Sequence, residues 1–175
     1  MTALISRATA RDAAEITALA RLTFSETFGP MYDPADLAAF LEQKYQPEIF
    51  ARDIADPAQA LFTATLNGAI VGYAQAGPCV LPHADVTPAC GELQRLYVRR
   101  GLQGRGIGNA LLDTALGWLE RPGRTLWVGV WSGNHGAQKL YMSRGFVKAG
   151  EYKFIVGNAA DEELIFRRVQ ALLPH

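Results

Sequence analysis

The stretch Gln103-Gly104-Arg105-Gly106-Ile107-Gly108-Asn109 sets three glycines on alternate positions at the mouth of an apolar helical pattern. Glycine weakens a helix, so its repetition here points to a ligand lying against the backbone. The first amides of a helix have no intrahelical partner and the dipole is positive there, which makes such a turn an anion site. Two further positions carry side chains able to move protons. Tyr141 lies seven residues after Asn134, two helical turns on, so both can face one groove. A phenol, with a pKa of about 10, holds a proton to donate at neutral pH. The same spacing also fits a core aromatic on an amphipathic helix. Glu92 opens a strand and offers a carboxylate base, and it fits a solvated strand end equally.

Spacing narrows the anion. A phosphate-binding P-loop requires G-x-x-x-x-G-K-[ST], and no Gly-Lys-Ser or Gly-Lys-Thr follows. A dinucleotide fingerprint requires G-x-G-x-x-G, but Asn109 stands where the third glycine belongs. The next strand also lacks a ribose-binding acid at its C-terminal end. What remains is Q-x-x-G-x-G.

The elements that must hold these residues follow from periodicity. "LISRATA" (4–10) reads as a strand, Asp12 as a helix N-cap, and Ile16, Leu19, Ala20, Leu22 and Thr23 as a helical stripe to about Phe28. "GPMYDP" breaks that helix. A second spans 34–45 with Leu37, Phe40 and Leu41 on one face, and a short third follows Pro47. "ALFTATL-NG-AIVGYAQA" is a hairpin around Asn67-Gly68. After the proline-punctuated 78–90 come the strand "ELQRLYV", the glycine turn and a helix with Ile107, Leu111, Ala115 and Leu119 in step. "TLWVGVW" (125–131) is a buried strand. Asn134 caps a helix that Gly145 closes, and the strands "FVKAGEYKFIV" and "EELIFRRV" end the pattern. The order β-α-α-β-β-β-α-β-α-β-β predicts a single α/β domain with mixed strand directions.

With the strand "ELQRLYV" before it and "NHGAQKLYMSRGF" one strand later, the turn resembles that of the GCN5-related N-acetyltransferases (GNAT superfamily). The second stretch matches N-x-x-A-x-x-x-Y-x-x-x-G-F through Asn134, Ala137, Tyr141, Gly145 and Phe146. The resemblance implies a mixed, mostly antiparallel sheet flanked by helices, with its central strands splayed. It implies acetyl-CoA as co-substrate, its pyrophosphate on Gln103–Asn109 and its pantetheine between the splayed strands, where it extends the sheet. A backbone N–H among Leu96, Tyr97 and Val98 would hold the thioester oxygen, and Asn134 would border the same groove. Tyr141 becomes the general acid for the departing thiolate. Glu92 becomes the base, acting through a water that Gln94 holds on the same strand face. Arg99, Arg100 and Arg105 are candidates for the phosphates.

A narrower resemblance is to the bacterial polyamine N-acetyltransferases of the spermidine/spermine type, through Glu26-Thr27-Phe28 and "LWVGVW-x-x-N". Residues 24–56 carry seven acids against two bases, which would attract a cationic amine. Glu26, Asp33 and Asp36 are the candidate contacts. An acetyltransferase for protein N-termini or lysines is the alternative. A non-catalytic acyl-CoA binder would need only the glycine turn.

Composition excludes other classes. Lysine plus arginine equals aspartate plus glutamate at 17 each, so no global charge calls for nucleic acid or an anionic membrane. No apolar leader or bilayer-length segment is present, and a cytoplasmic protein is expected. Cys79 and Cys90 lack C-x-x-C spacing and read as ordinary thiols, with a disulfide between them the alternative. His83, His135 and His175 form no ligand set with cysteine or acid, so no metal is expected. A homodimer is the habit of the resembled family.

Overall fold

The computed structural model describes residues 2–170; His175 lies outside them. The chain runs β1 (Leu4–Arg7), α1 (Ala13–Phe28), α2 (Pro34–Lys44), α3 (Pro47–Ala55), β2 (Ala60–Leu66), β3 (Ala69–Pro78), β4 (Gly91–Val98), α4 (Ile107–Leu119), β5 (Thr125–Trp131), α5 (His135–Met142), β6 (Val147–Val156) and β7 (Ala159–Val169). These strands form one sheet in the order β1-β2-β3-β4-β5-β7-β6. Neighbours pair antiparallel except β4 and β5, which are parallel. The mixed, mostly antiparallel sheet flanked by helices is the expected architecture.

Local chemistry sets the boundaries. Asn67 (φ 52°) and Gly68 (φ 82°) take the left-handed conformations of the tight hairpin turn between β2 and β3. Asp33 caps α2, accepting from Ala35 N at 2.9 Å, and Pro34 follows in the first turn. Asp12 does not cap α1 with its side chain. The carboxylate turns back instead to the Thr9 amide at 2.7 Å, holding a short 3-10 turn (Ala10–Asp12) that shortens β1.

The sheet has a core on each face. α4 lays Leu111, Leu112, Ala115 and Leu119 against Ala60, Phe62, Ala64 and Leu93. α1 to α3 cover the opposite face, with Ile16, Phe24, Phe28 and Phe50 against Leu61 and Tyr73. Alternate residues of β2 thus serve opposite cores. Among the described residues no helix is long and apolar enough to cross a membrane.

Candidate active site

β4 and β5 pair at only three positions, Gly91 with Leu126, Glu92 with Trp127 and Leu93 with Val128. Beyond Leu93 the strands part. Arg99 N donates to Val71 O at 2.8 Å, which makes Val98–Gly72 a non-hydrogen-bonded pair of the β3–β4 ladder. The amides of Val98 and, two residues back, Leu96 therefore point away from β3 into the gap. Tyr97 faces the other way and bonds across to β3. Of the three expected amide donors, two are directed into the gap.

The gap opens into a cleft of about 410 Å³ lined by Leu96, Val98, Arg100, Gln103, Asn134 and Tyr141 among others. Next to it the glycine turn leads into α4. Gly106 is the N-cap at φ 82°, and no side chain caps the helix, so the first-turn amides are left to an external acceptor. A Cβ on Gly104 or Gly106 would meet no protein atom within 4 Å, so these glycines answer to backbone conformation and open space, not to crowding. Arg105 lies in the turn, and Gly108 in the first turn of α4. Ile107 is buried in the core with its side chain, and Asn109 accepts from Arg144 at 2.7 Å. Arg100 is tied to the end of α1, donating to Glu26 O at 2.8 Å.

Asn134 caps α5 through its Oδ1, which accepts from Ala137 N at 3.0 Å. Tyr141, 5% exposed, packs edge-on against Phe146 at 6.3 Å and also borders the cleft. Burial, then the nearby Glu163 charge, raise its pKa further above neutrality, so the phenol keeps its proton.

A second cavity of about 620 Å³ lies on the α1–α3 side and shares Phe28, Gln94, Arg95, Tyr97, Gly129 and Glu163 with the cleft. Glu92 lines it and is 6% exposed. Burial pushes its carboxyl up to about 7, opposed by the Val80 amide, the Cys79 thiol and the Arg95 charge. The Val80 N–H donates to Oε2 at 2.8 Å. Cys79 and Cys90 are both free thiols.

Several residues here escaped the sequence reading. Glu163 on β7, 9% exposed, borders both spaces, and burial with the Asp161 charge beside it raises its carboxyl to about 7. The signal was an acid in phase with inward-facing Ile165 on an alternating strand. Tyr152 brings its hydroxyl to 3.5 Å from where a Cβ on Gly129 would stand, and burial, then the charges of Glu163 and Glu92, raise its pKa. Arg95 was hidden by a bulge. Gln75 pairs with Arg95 while Ala76 pairs with Leu93, leaving Gln94 as the extra residue. Gln94 and Arg95 thus both line the cavity with Glu92, where strict alternation would turn Arg95 away. Gln94 itself donates to Pro78 O at 3.0 Å.

Two of the expected substrate acids have other work. Asp33 is the α2 cap described above, and Asp36 accepts from Asn158 N at 3.2 Å in the β6–β7 turn. Neither lines the cavity, and Glu26 lines the first cleft. Among the described residues no cluster of histidine, cysteine and acid is arranged to hold a metal.

A parted parallel strand pair, amides facing the gap and an uncapped helix start define a site for an extended, amide-bearing ligand with an anionic group. The acetyltransferase (GNAT) family model matches residues 15–146, and the chain belongs to that family. It is an acetyl-CoA-dependent N-acetyltransferase. Over 163 residues it is 31% identical to an uncharacterised N-acetyltransferase from the pepI 3′ region of Lactobacillus delbrueckii subsp. lactis, covering 90% of this chain and 92% of the relative. An uncharacterised N-acetyltransferase of Mycobacterium tuberculosis (strain H37Rv) is 32% identical over 158 residues, with 90% and 97% covered. The fold is similar to that of the PaiA N-acetyltransferase of Thermoplasma acidophilum in complex with coenzyme A, with a TM-score of 0.76 at 18% identity and 97% and 99% covered. The residues fit acetyl-CoA: Leu96 and Val98 have amides for a pantetheine arm, and the start of α4 has amides for a pyrophosphate.

Proposed function

We propose that the chain moves the acetyl group of acetyl-CoA directly to a small-molecule primary amine. The amine enters the α1–α3 cavity and meets the thioester where that cavity joins the coenzyme cleft. Glu92 takes the ammonium proton, directly or through a water, and the free lone pair attacks the carbonyl carbon. The Leu96 amide polarises the carbonyl oxygen, a contact worth about 3–4 kcal/mol in comparable oxyanion sites. Tyr141 gives its proton to the departing thiolate as the carbon–sulfur bond breaks, and the surplus proton of the newly bonded nitrogen passes through solvent to restore the phenol. One observation carries this reading. A buried carboxyl with a pKa raised to about 7 stands on the acceptor side of the parted strands, poised to exchange a proton near neutrality.

A polyamine is the acceptor suggested by the sequence likeness. Of its three candidate carboxylates only Glu26 borders either space. The acceptor cavity carries Lys44, Arg52 and Arg95 against Asp53, Glu92 and Glu163, so a long polycation gains no net attraction there. The test is acetyl-CoA-dependent thiol release across polyamines, arylalkylamines, amino acids, aminoglycosides and N-terminal peptides. Turnover of small amines is expected. Turnover of peptides alone would replace this reading with protein N-terminal acetylation. Spermidine outrunning every other acceptor, with its KM raised by Glu26→Gln, would restore the polyamine.

A further inference from the structure

Arg95 is a partly buried cation with an unusual set of partners. Its guanidinium lies 5.1 Å from the ring centre of Tyr45 and 5.3 Å from that of Phe50. It donates to Gln75 Oε1 at 2.6 Å. Asp53 reaches it only indirectly, since Gln75 Nε2 occupies Asp53 Oδ2 at 2.9 Å. Among the described residues no carboxylate oxygen lies within 4 Å of this guanidinium. Charges withdrawn from water are ordinarily paired, and a guanidinium has five N–H donors in a fork that matches a carboxylate. Arg95 borders both spaces, at their junction.

The bulge at Gln94 sets the spacing between Arg95 and the proposed base. Their partners on β3 are Gln75 and Gly77, two residues apart, a rise of about 7 Å along the strand. Both side chains enter the same cavity, and both are long enough to converge on one small molecule. An acceptor that meets both carries its amine and an anionic group on neighbouring atoms. Alongside the charged residues named above, one part of the wall is apolar. Phe28, Phe40, Tyr152 and Phe154 line the cavity with Leu81, and its volume of about 620 Å³ exceeds what a bare amine requires.

Resting on the reaction proposed above, we infer that the acceptor is an α-amino acid with an apolar side chain. Its ammonium lies at Glu92, its carboxylate at Arg95, and its side chain among the aromatic walls. A polyamine or a decarboxylated amine would leave Arg95 unpaired, which makes the carboxylate a selector as well as an anchor.

The experiment compares matched acceptors in the thiol-release assay with saturating acetyl-CoA. Phenylalanine, tyrosine, tryptophan and leucine are each set against the amine lacking the carboxylate, and phenylalanine also against its amide; spermidine is included. At least one amino acid is expected to exceed its decarboxylated counterpart in kcat/KM by about 10–100-fold, the range for a hydrogen-bonded charge. In Arg95→Gln that ratio should collapse towards one through KM, Arg95→Lys should recover part of it, and the KM for acetyl-CoA should hold. Decarboxylated amines or spermidine serving as well as the amino acids would overturn the inference. So would an Arg95→Gln variant in which the ratio persists, or in which every acceptor suffers alike. The substrate comparison needs only the unaltered protein, so it stands even if the variants fold poorly. If no amine of any kind is acetylated, it is the small-molecule reading itself that falls.

Discussion

As the proposed base Glu92 has to be a carboxylate, and its burial keeps it protonated up to about pH 7. The kcat/KM for an amine acceptor should therefore rise with pH through a limb near 7. Glu92→Gln should remove that limb and lower the rate by about 10²–10⁴-fold; an unaltered profile would return Glu92 to a structural role. Tyr141 stands at the other end of the proposed reaction. Tyr141→Phe keeps the packing against Phe146 but removes the proton, so turnover should fall by about 10²–10⁴-fold while acetyl-CoA affinity changes little. Single-turnover kinetics with a binding titration separate the two. Both positions were legible as lining the two spaces because each sits in or beside a local motif. Glu163 was not, because it reaches the site only through strand pairing with Trp131, a non-local contact that spacing does not encode.

At the level of elements, the glycine turn was the clearest signal in the sequence. Gly106 at φ 82° admits an L side chain at about 1–2 kcal/mol, and Gly106→Asp would also set a negative charge where an anion is expected. Acetyl-CoA at 100 times its Kd should stabilise the unaltered chain by about 2.7 kcal/mol. Thermal melts of Gly106→Asp should lose that gain, and a retained shift would refute the assignment of the turn. Other element-level features were hidden. The acid-rich helices were correctly found, but charge counting could not tell that Asp33 is spent on a helix cap and Asp36 on a turn. The bulge in β4 was invisible for a related reason. "ELQRLYV" reads as a regular strand, and the extra residue shows only against Gln75 and Ala76 of its neighbour.

At the level of the whole molecule, the fold carries two buried carboxyls whose folded pKa values lie near 7. Each is raised above the ordinary unfolded value, so the fold favours the protonated form. Their contribution is full below about pH 4 and is lost as pH rises through 7, a cost on the order of 3 kcal/mol each at pH 8. As far as these groups govern stability, melting temperature should fall between pH 5 and pH 8. Glu163→Gln should raise it at pH 8 and flatten the slope. A variant with the same slope as the parent would show that water reaches this carboxyl freely.

The three residue pairs between β4 and β5 make a narrow seam in an otherwise continuous seven-stranded sheet. β1 to β4 hang on one side of it, and β5, β7 and β6 on the other. A seam that short should breathe more than the ladders around it, because few hydrogen bonds must open together for the halves to part. A ligand strand lying along Leu96 and Val98 would act as a rivet across the break. In the free protein, deuterium uptake at Leu126–Val128 is thus expected to be faster than in the other paired ladders of the sheet. Coenzyme A should slow uptake there, beyond the residues it touches. The sheet would then be whole only while its co-substrate is in place, so the product coenzyme leaves by reopening the seam, a step able to limit turnover.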